Sequence, residues 1–181
     1  MAPRIPVFDL DGTLVDSDEA LVVPFLRMGI AREDITFGLP AEQSCVELGV
    51  SIDDYVALYD VDEVKPFDGA EELVASLDRW AVCSNKHPVS ASAELARLGW
   101  KPEVALFTDA FEGRPKELEP VLALLGVGAD QVVFVGDTDH DRRCAEVVGA
   151  AFAWAGWNPR CAAASPSGVV LGHPLDVLDL L

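Results

Sequence analysis

Short apolar runs punctuate the chain. They lie at RIPVF (4–8), WAVCS (80–84), VALFT (104–108), QVVFV (131–135) and AFAWA (151–155), and are rich in Val, Phe and Trp. None alternates apolar with polar residues. Runs that are apolar toward both faces suit central strands of a parallel sheet covered by helices on each side. Helical patterns fill the intervals. DGAEELVASL opens with Asp68 as a candidate N-cap and Glu71 three residues on, a capping-box spacing. VSASAELARLG, PVLALLG and DRRCAEVVG run to Gly99, Gly126 and Gly149, and Pro120 sits in a first turn, as helix ends favour. Strand and helix alternate from 66 to 155, which predicts a doubly wound α/β fold with a parallel sheet.

Residues 18–64 break the rhythm. DEALVVPFLRMG, PAEQSCVELG and IDDYVALY read as helices with no strand between them. The pattern predicts an α/β core from residues 1–17 and 65–181, with 18–64 inserted as a small helical cap. NPRCAAASPSG (158–168) reads as a surface connection.

Composition narrows the picture. The chain has 181 residues, half of them hydrophobic, enough for one good core with a small accessory lobe. No apolar run reaches the roughly 18 residues of a membrane span, and MAPRIPVFDL does not resemble a secretory leader. Cys45, Cys83, Cys144 and Cys161 show no Cys-x-x-Cys pairing; free thiols in a reducing cytoplasm are expected, without a zinc site. A net charge of −18 argues against a nucleic-acid polymer as partner. Lys65, Lys86, Lys101 and Lys116 are the only lysines, so a lysine in a site would be an exception in its surroundings. Monomer and homodimer both stay open.

In open α/β sheets, sites form beyond the carboxyl ends of the strands. Asp9 and Asp11 follow the first predicted strand, with Gly12 and Thr13 behind them; Ser84 and Asn85 follow the second. Lys116 comes after the third, and Asp137 and Asp141 after the fourth. Carboxylates are hard oxygen ligands that suit Mg²⁺ together with a phosphate oxygen. A lysine and the ion would neutralise a transferring phosphoryl group. Ser84 and the backbone N–H groups near Gly12 and Asn85 could donate to its oxygens. One carboxylate could attack while its neighbour moves protons. His87, Arg114 and Arg142 read as surface residues, His140 as exposed, Asp139 as a helix cap, and the tryptophans as core.

The ordered set FDLDGTLVDS, SN, K and GDTDHD resembles the four motifs of the haloacid dehalogenase superfamily, and more narrowly its phosphoglycolate phosphatase-like branch. The resemblance implies a Rossmann-like core with a cap inserted after the first motif. It implies that Asp9 is the nucleophile and Asp11 the acid–base, that Ser84 and Lys116 hold the phosphate, and that Gly12, Thr13 and Asn85 line the substrate. Asp9, the Asp11 main-chain carbonyl and Asp137 would ligate Mg²⁺, with Asp141 in support. Members that cleave carbon–halogen bonds lack the second aspartate, so its presence points away from dehalogenation. KELEP departs from the family's usual Lys-Pro-x-Pro, and the cap is shorter than is common. The expected activity is Mg²⁺-dependent hydrolysis of a small phosphate monoester: phosphoglycolate-like, a sugar phosphate or a nucleotide. The rivals are a sugar-phosphate mutase and a non-catalytic binding protein that keeps the fold.

Overall fold

The computed structural model describes residues 4–181; the part of the N-terminal reading that rests on residues 1–3 lies outside them. In chain order the elements begin with β1 (Ile5–Phe8), β2 (Val15–Asp16), α1 (Asp18–Arg27), α2 (Ala41–Leu48), α3 (Ile52–Leu58) and β3 (Lys65–Pro66). Then come α4 (Ala70–Ala75), β4 (Ala81–Cys83), α5 (Pro88–Leu98), β5 (Val104–Leu106), α6 (Glu119–Leu125) and β6 (Val132–Gly136). The chain ends with α7 (Asp139–Val148), β7 (Ala151–Ala155), α8 (Pro159–Ala163), β8 (Val170–Leu171) and a 3₁₀ segment, Pro174–Leu180.

Six strands form one parallel sheet in the order β5-β4-β1-β6-β7-β8. Register follows the apolar runs: Val7 and Phe8 lie opposite Ala81 and Val82 on one side and Phe134 and Val135 on the other. Alternate side chains feed two cores, as a strand period of two requires. Phe8, Val82, Val133 and Val135 pack with Leu73 and Val74 of α4 and with Ala91 and Leu95 of α5. Val7, Cys83, Val132 and Phe134 pack on the opposite face with Val121 and Leu122 of α6 and Ala145 of α7. The sheet is therefore doubly wound. Because β1 sits between β4 and β6, the chain winds outward from it in both directions, and its carboxyl end faces a crevice.

The three helices expected between 18 and 64 are present as α1, α2 and α3, joined around a small cluster of Phe25, Cys45 and Tyr55. β2 and β3, not foreseen, pair antiparallel where the chain leaves for these helices and returns. Gly99, Gly126 and Gly149 close their helices in the left-handed conformation, as expected. Other details differ. The N-cap of α4 is Gly69, not Asp68. Thr138 caps α7, its hydroxyl accepting from the Asp141 amide, so Asp139 is the first helical residue and not the cap. His140 is half-buried, its ring 3.5 Å from Cys144 Sγ. The stretch 158–168 holds α8, and β8 follows it at the sheet edge. Among the described residues no helix is long and apolar enough to cross a membrane.

Candidate active site

Asp9 is the first residue past β1, and its amide donates to the Val135 carbonyl at 2.9 Å, so backbone pairing continues one step beyond the strand. The chain then turns tightly: the amides of Leu14 and Val15 both return to the Leu10 carbonyl, and Gly12 donates to Val15. Gly12 adopts φ +73°, and a Cβ there would sit 2.4 Å from Asp137 Oδ2. Glycine is required on both counts. The turn presents Asp9, which is buried, and Asp11, which is partly exposed.

Lys116 reaches this turn from the loop before α6. It is 3% exposed, although a lysine at such a position would ordinarily be solvated. Its Nζ lies 2.9 Å from Asp9 and 2.5 Å from Asp141 Oδ1. Two buried thiols hold the loop: Cys144 donates to the Lys116 carbonyl at 3.1 Å and Cys83 to the Glu117 carbonyl at 3.5 Å. All four cysteines are free and buried. The other oxygen of Asp141 accepts from the Thr138 amide and hydroxyl, which completes the cap of α7.

Asp9, Asp137 and Asp141 are buried and each offers a carboxylate oxygen within 4.8 Å of the others. Burial, then the neighbouring acids, pushes Asp137 up to about 8. Burial also raises Asp9 to about 6 despite the opposing pull of Lys116. Burial alone would lower Lys116, but Asp141 and Asp9 outweigh it and raise the ammonium above its ordinary value. Three carboxylates face two cations, Lys116 and the half-buried Arg160 at 2.6 Å from Asp137, which leaves an excess of negative charge. Asp137 Oδ1 is buried with no hydrogen-bond partner. An orphaned oxygen, hard donors and surplus negative charge fit a divalent cation.

The structure brings the expected set together unevenly. Asp9, Asp11, Ser84, Asn85 and Asp137 line one cavity; Lys116 stands behind Asp9 as its buried ion partner and pairs with Asp141 as well. The side chain of Asn85 is already engaged, accepting from the Lys116 amide at 2.7 Å and donating to the Gly38 carbonyl at 2.8 Å. Thr13 is fully buried behind the turn, its carbonyl accepting from the Trp157 indole. His87 faces the cavity and caps α5, whereas Arg114 and Arg142 form surface ion pairs. Trp80, Trp100 and Trp154 are core, and Trp157 is half-buried.

Residues that the sequence reading passed over complete the site. Asn158 donates to the Gly12 carbonyl at 2.8 Å and to Asp137 Oδ2 at 3.1 Å. Arg160 donates to the same oxygen at 2.6 Å, pairs with Asp18, and stacks on Phe37 with 4.6 Å between guanidinium and ring. Lys86 is buried against Asp11. The far wall of the cavity is apolar: Leu21, Phe25, Phe37, Leu39 and Tyr55, all from the 18–64 segment.

Paired aspartates at the end of a central strand, with a buried lysine and two further acids converging from β5 and β6, define a hydrolase that handles phosphoryl groups. Residues 6–155 match the model of the haloacid dehalogenase-like hydrolases, and the chain belongs to that family. Within it, the likeness is to phosphatases. A phosphoglycolate phosphatase of Xanthomonas campestris pv. campestris is 26% identical over 188 aligned residues, covering 87% of this chain and 85% of its own. Pyrophosphatase PpaX of Halalkalibacterium halodurans is 27% identical over 161 residues, covering 75% of each chain. A solved Lactobacillus plantarum structure, assigned as a phosphoglycolate phosphatase, superposes over 100% of both chains with a TM-score of 0.78 at 22% identity, a likeness of fold.

Proposed function

We propose that the protein is a Mg²⁺-dependent phosphatase that hydrolyses a small phosphate monoester through an aspartyl-phosphate intermediate. The observation that carries this reading is the buried Lys116 ammonium set between Asp9 and Asp141, beside an Asp137 oxygen with no partner. An ammonium spent on two carboxylates in this way positions a nucleophile and neutralises charge brought to it. Asp9, the Asp11 main-chain carbonyl, Asp137 and Asp141 would hold Mg²⁺, which supplies positive charge to the phosphate oxygens when bound.

A carboxylate oxygen of Asp9 attacks phosphorus in line. The Asp9–phosphorus bond forms as the ester oxygen–phosphorus bond breaks, and Asp11 gives its proton to the departing oxygen. Asp11, now a carboxylate, takes a proton from water; the water oxygen attacks phosphorus and the Asp9 bond breaks, which releases phosphate and restores both aspartates. Ser84 and the nearby backbone amides donate to the phosphate oxygens, and Lys116 offsets their charge.

Residues 18–64 act as a small cap over this centre. Its apolar side chains, Leu21, Phe25, Phe37, Leu39 and Tyr55, form one wall of the cavity that Asp9 and Asp11 line, and shield the reacting groups from part of the solvent. The curated relatives act, by their names, on phosphoglycolate and on pyrophosphate. Of these, phosphoglycolate is the monoester. Asp9→Asn tests the proposal. The change is nearly isosteric, so the fold should persist while release of inorganic phosphate from a panel of monoesters stops; full activity in that variant would sink the assignment. Assaying isomer formation on a hexose phosphate alongside free phosphate separates hydrolysis from mutase chemistry.

A further inference from the structure

Lys86 lies in the loop between β4 and α5, and it is 4% exposed. Its Nζ sits 2.5 Å from Asp11 Oδ1, 2.8 Å from Glu94 Oε1 and 2.7 Å from the Tyr59 hydroxyl. Tyr59 in turn donates to Glu94 Oε1 at 2.5 Å. An ammonium has three protons to give, and all are committed. Lys86 is therefore not free to meet a phosphate. Burial works against its charge, yet Asp11 and Glu94 outweigh that and hold the ammonium above its ordinary value.

The bland explanation is a structural ion pair. It sits poorly with Glu94, which has no exposed surface, on an α5 face whose other buried residues are Ser90, Ala91 and Leu95. Desolvating two charges is costly, and an apolar pair of the same volume is commonly as stable or more so. What an apolar pair could not do is hold the third member. Asp11 Oδ1 accepts from Lys86 and, at 2.6 Å, from the Ser17 hydroxyl. Ser17 gives up capping α1 to do so. Among the described residues, nothing donates to Oδ2.

We propose that Lys86, itself held by Glu94 and Tyr59, is the positioning residue for Asp11: it anchors Oδ1 and so leaves Oδ2 to pass the proton to the leaving oxygen and later take one from water. The inference rests on reading Asp11 as the acid–base. It also links the cap to the chemistry, because Tyr59 follows α3 and reaches Asp11 only through Lys86.

The test compares phenyl phosphate with 4-nitrophenyl phosphate, esters of nearly the same shape, only the second of which has a leaving group that departs without a proton. Wild type, Lys86→Met, Asp11→Asn and the double variant Lys86→Met/Glu94→Gln are assayed with Mg²⁺; the double variant removes both buried charges together and so guards against misfolding. For the Lys86 variants kcat/KM on phenyl phosphate should fall by about 100-fold or more, the usual worth of a placed general acid. On 4-nitrophenyl phosphate kcat/KM should fall less than about fivefold, while kcat drops because Asp11 must still draw a proton from water. Equal losses on both esters, or none on either, would overturn the role of Lys86. Asp11→Asn separates the two levels. If it reproduces the split and the Lys86 variants do not, the positioning inference alone fails; if it spares both esters, the acid–base reading falls and the inference with it.

Discussion

Removing one carboxylate from the acidic centre should stabilise the metal-free protein. Asp137→Asn is the informative change, because Asp137 stands furthest from its ordinary state: from 3.8 to about 8. At 1.36 kcal/mol per pH unit that displacement is on the order of 5 kcal/mol. Asparagine must keep its oxygen toward Arg160 and Asn158, which both donate to Oδ2. Its NH₂ then occupies the Oδ1 position, to which no group donates, and a buried donor left unsatisfied there costs about 1–3 kcal/mol. The net gain is about 3 kcal/mol, or roughly 6–12 °C in Tm for a chain of this size. The sign with pH follows from the raised value. Below 3.8 the acid is protonated whether folded or not, and no penalty exists; stability is lost as pH climbs through about 8. Thermal unfolding in EDTA should therefore show variant and wild type close at pH 4.5 and well separated at pH 8.5. Added Mg²⁺ should raise the wild type and leave the variant nearly unmoved. A variant no more stable than wild type at pH 8.5, or a gap independent of pH, would refute the reasoning.

Two further substitutions probe the same centre. Lys116→Met strands Asp9 and Asp141 without their shared cation, so the metal-free variant should lose about 3–5 kcal/mol in urea unfolding and show no measurable phosphate release. Gly12→Ala should lose about 2 kcal/mol and bind Mg²⁺ more weakly by calorimetry, because a Cβ at φ +73° would meet Asp137 Oδ2 and Asn158 Nδ2.

Much of the architecture was legible because parallel strands buried on both faces leave continuous apolar runs; β1, β4, β5 and β7 fall within four of the five runs, and β6 passes the fifth by one residue, Gly136. β8 escaped because it is two residues at the sheet edge with Val170 exposed. β2 and β3 escaped because Val15–Asp16 and Lys65–Pro66 carry no strand pattern at all. Residues just past the strands pointed to Asp9, Asp11, Ser84, Lys116, Asp137 and Asp141. The same rule, carried one strand further to β7, leads to Asn158 and Arg160. Glu94 had no such signal: within SAELARL it is indistinguishable from a solvated helix residue, and only the packing of α5 against the sheet shows it buried. Lys86 carried a faint one, as a lysine in a lysine-poor chain two positions after Ser84.

The β2–β3 ribbon has a consequence for how such a protein can change over time. Val15 pairs with Pro66, Asp16 with Lys65, and Phe67 donates to the Leu14 carbonyl, so the chain departs and returns through one narrow neck. Whatever length of polypeptide is spliced beyond that neck, the strand that carries Asp9 stays in the same place. Pro66 has no amide to give, which thins the neck's ladder and makes it pliant. The aspartate turn thus keeps its place at the end of β1 while the helices beyond the neck can change, so long as a residue in the position of Tyr59 still meets Lys86.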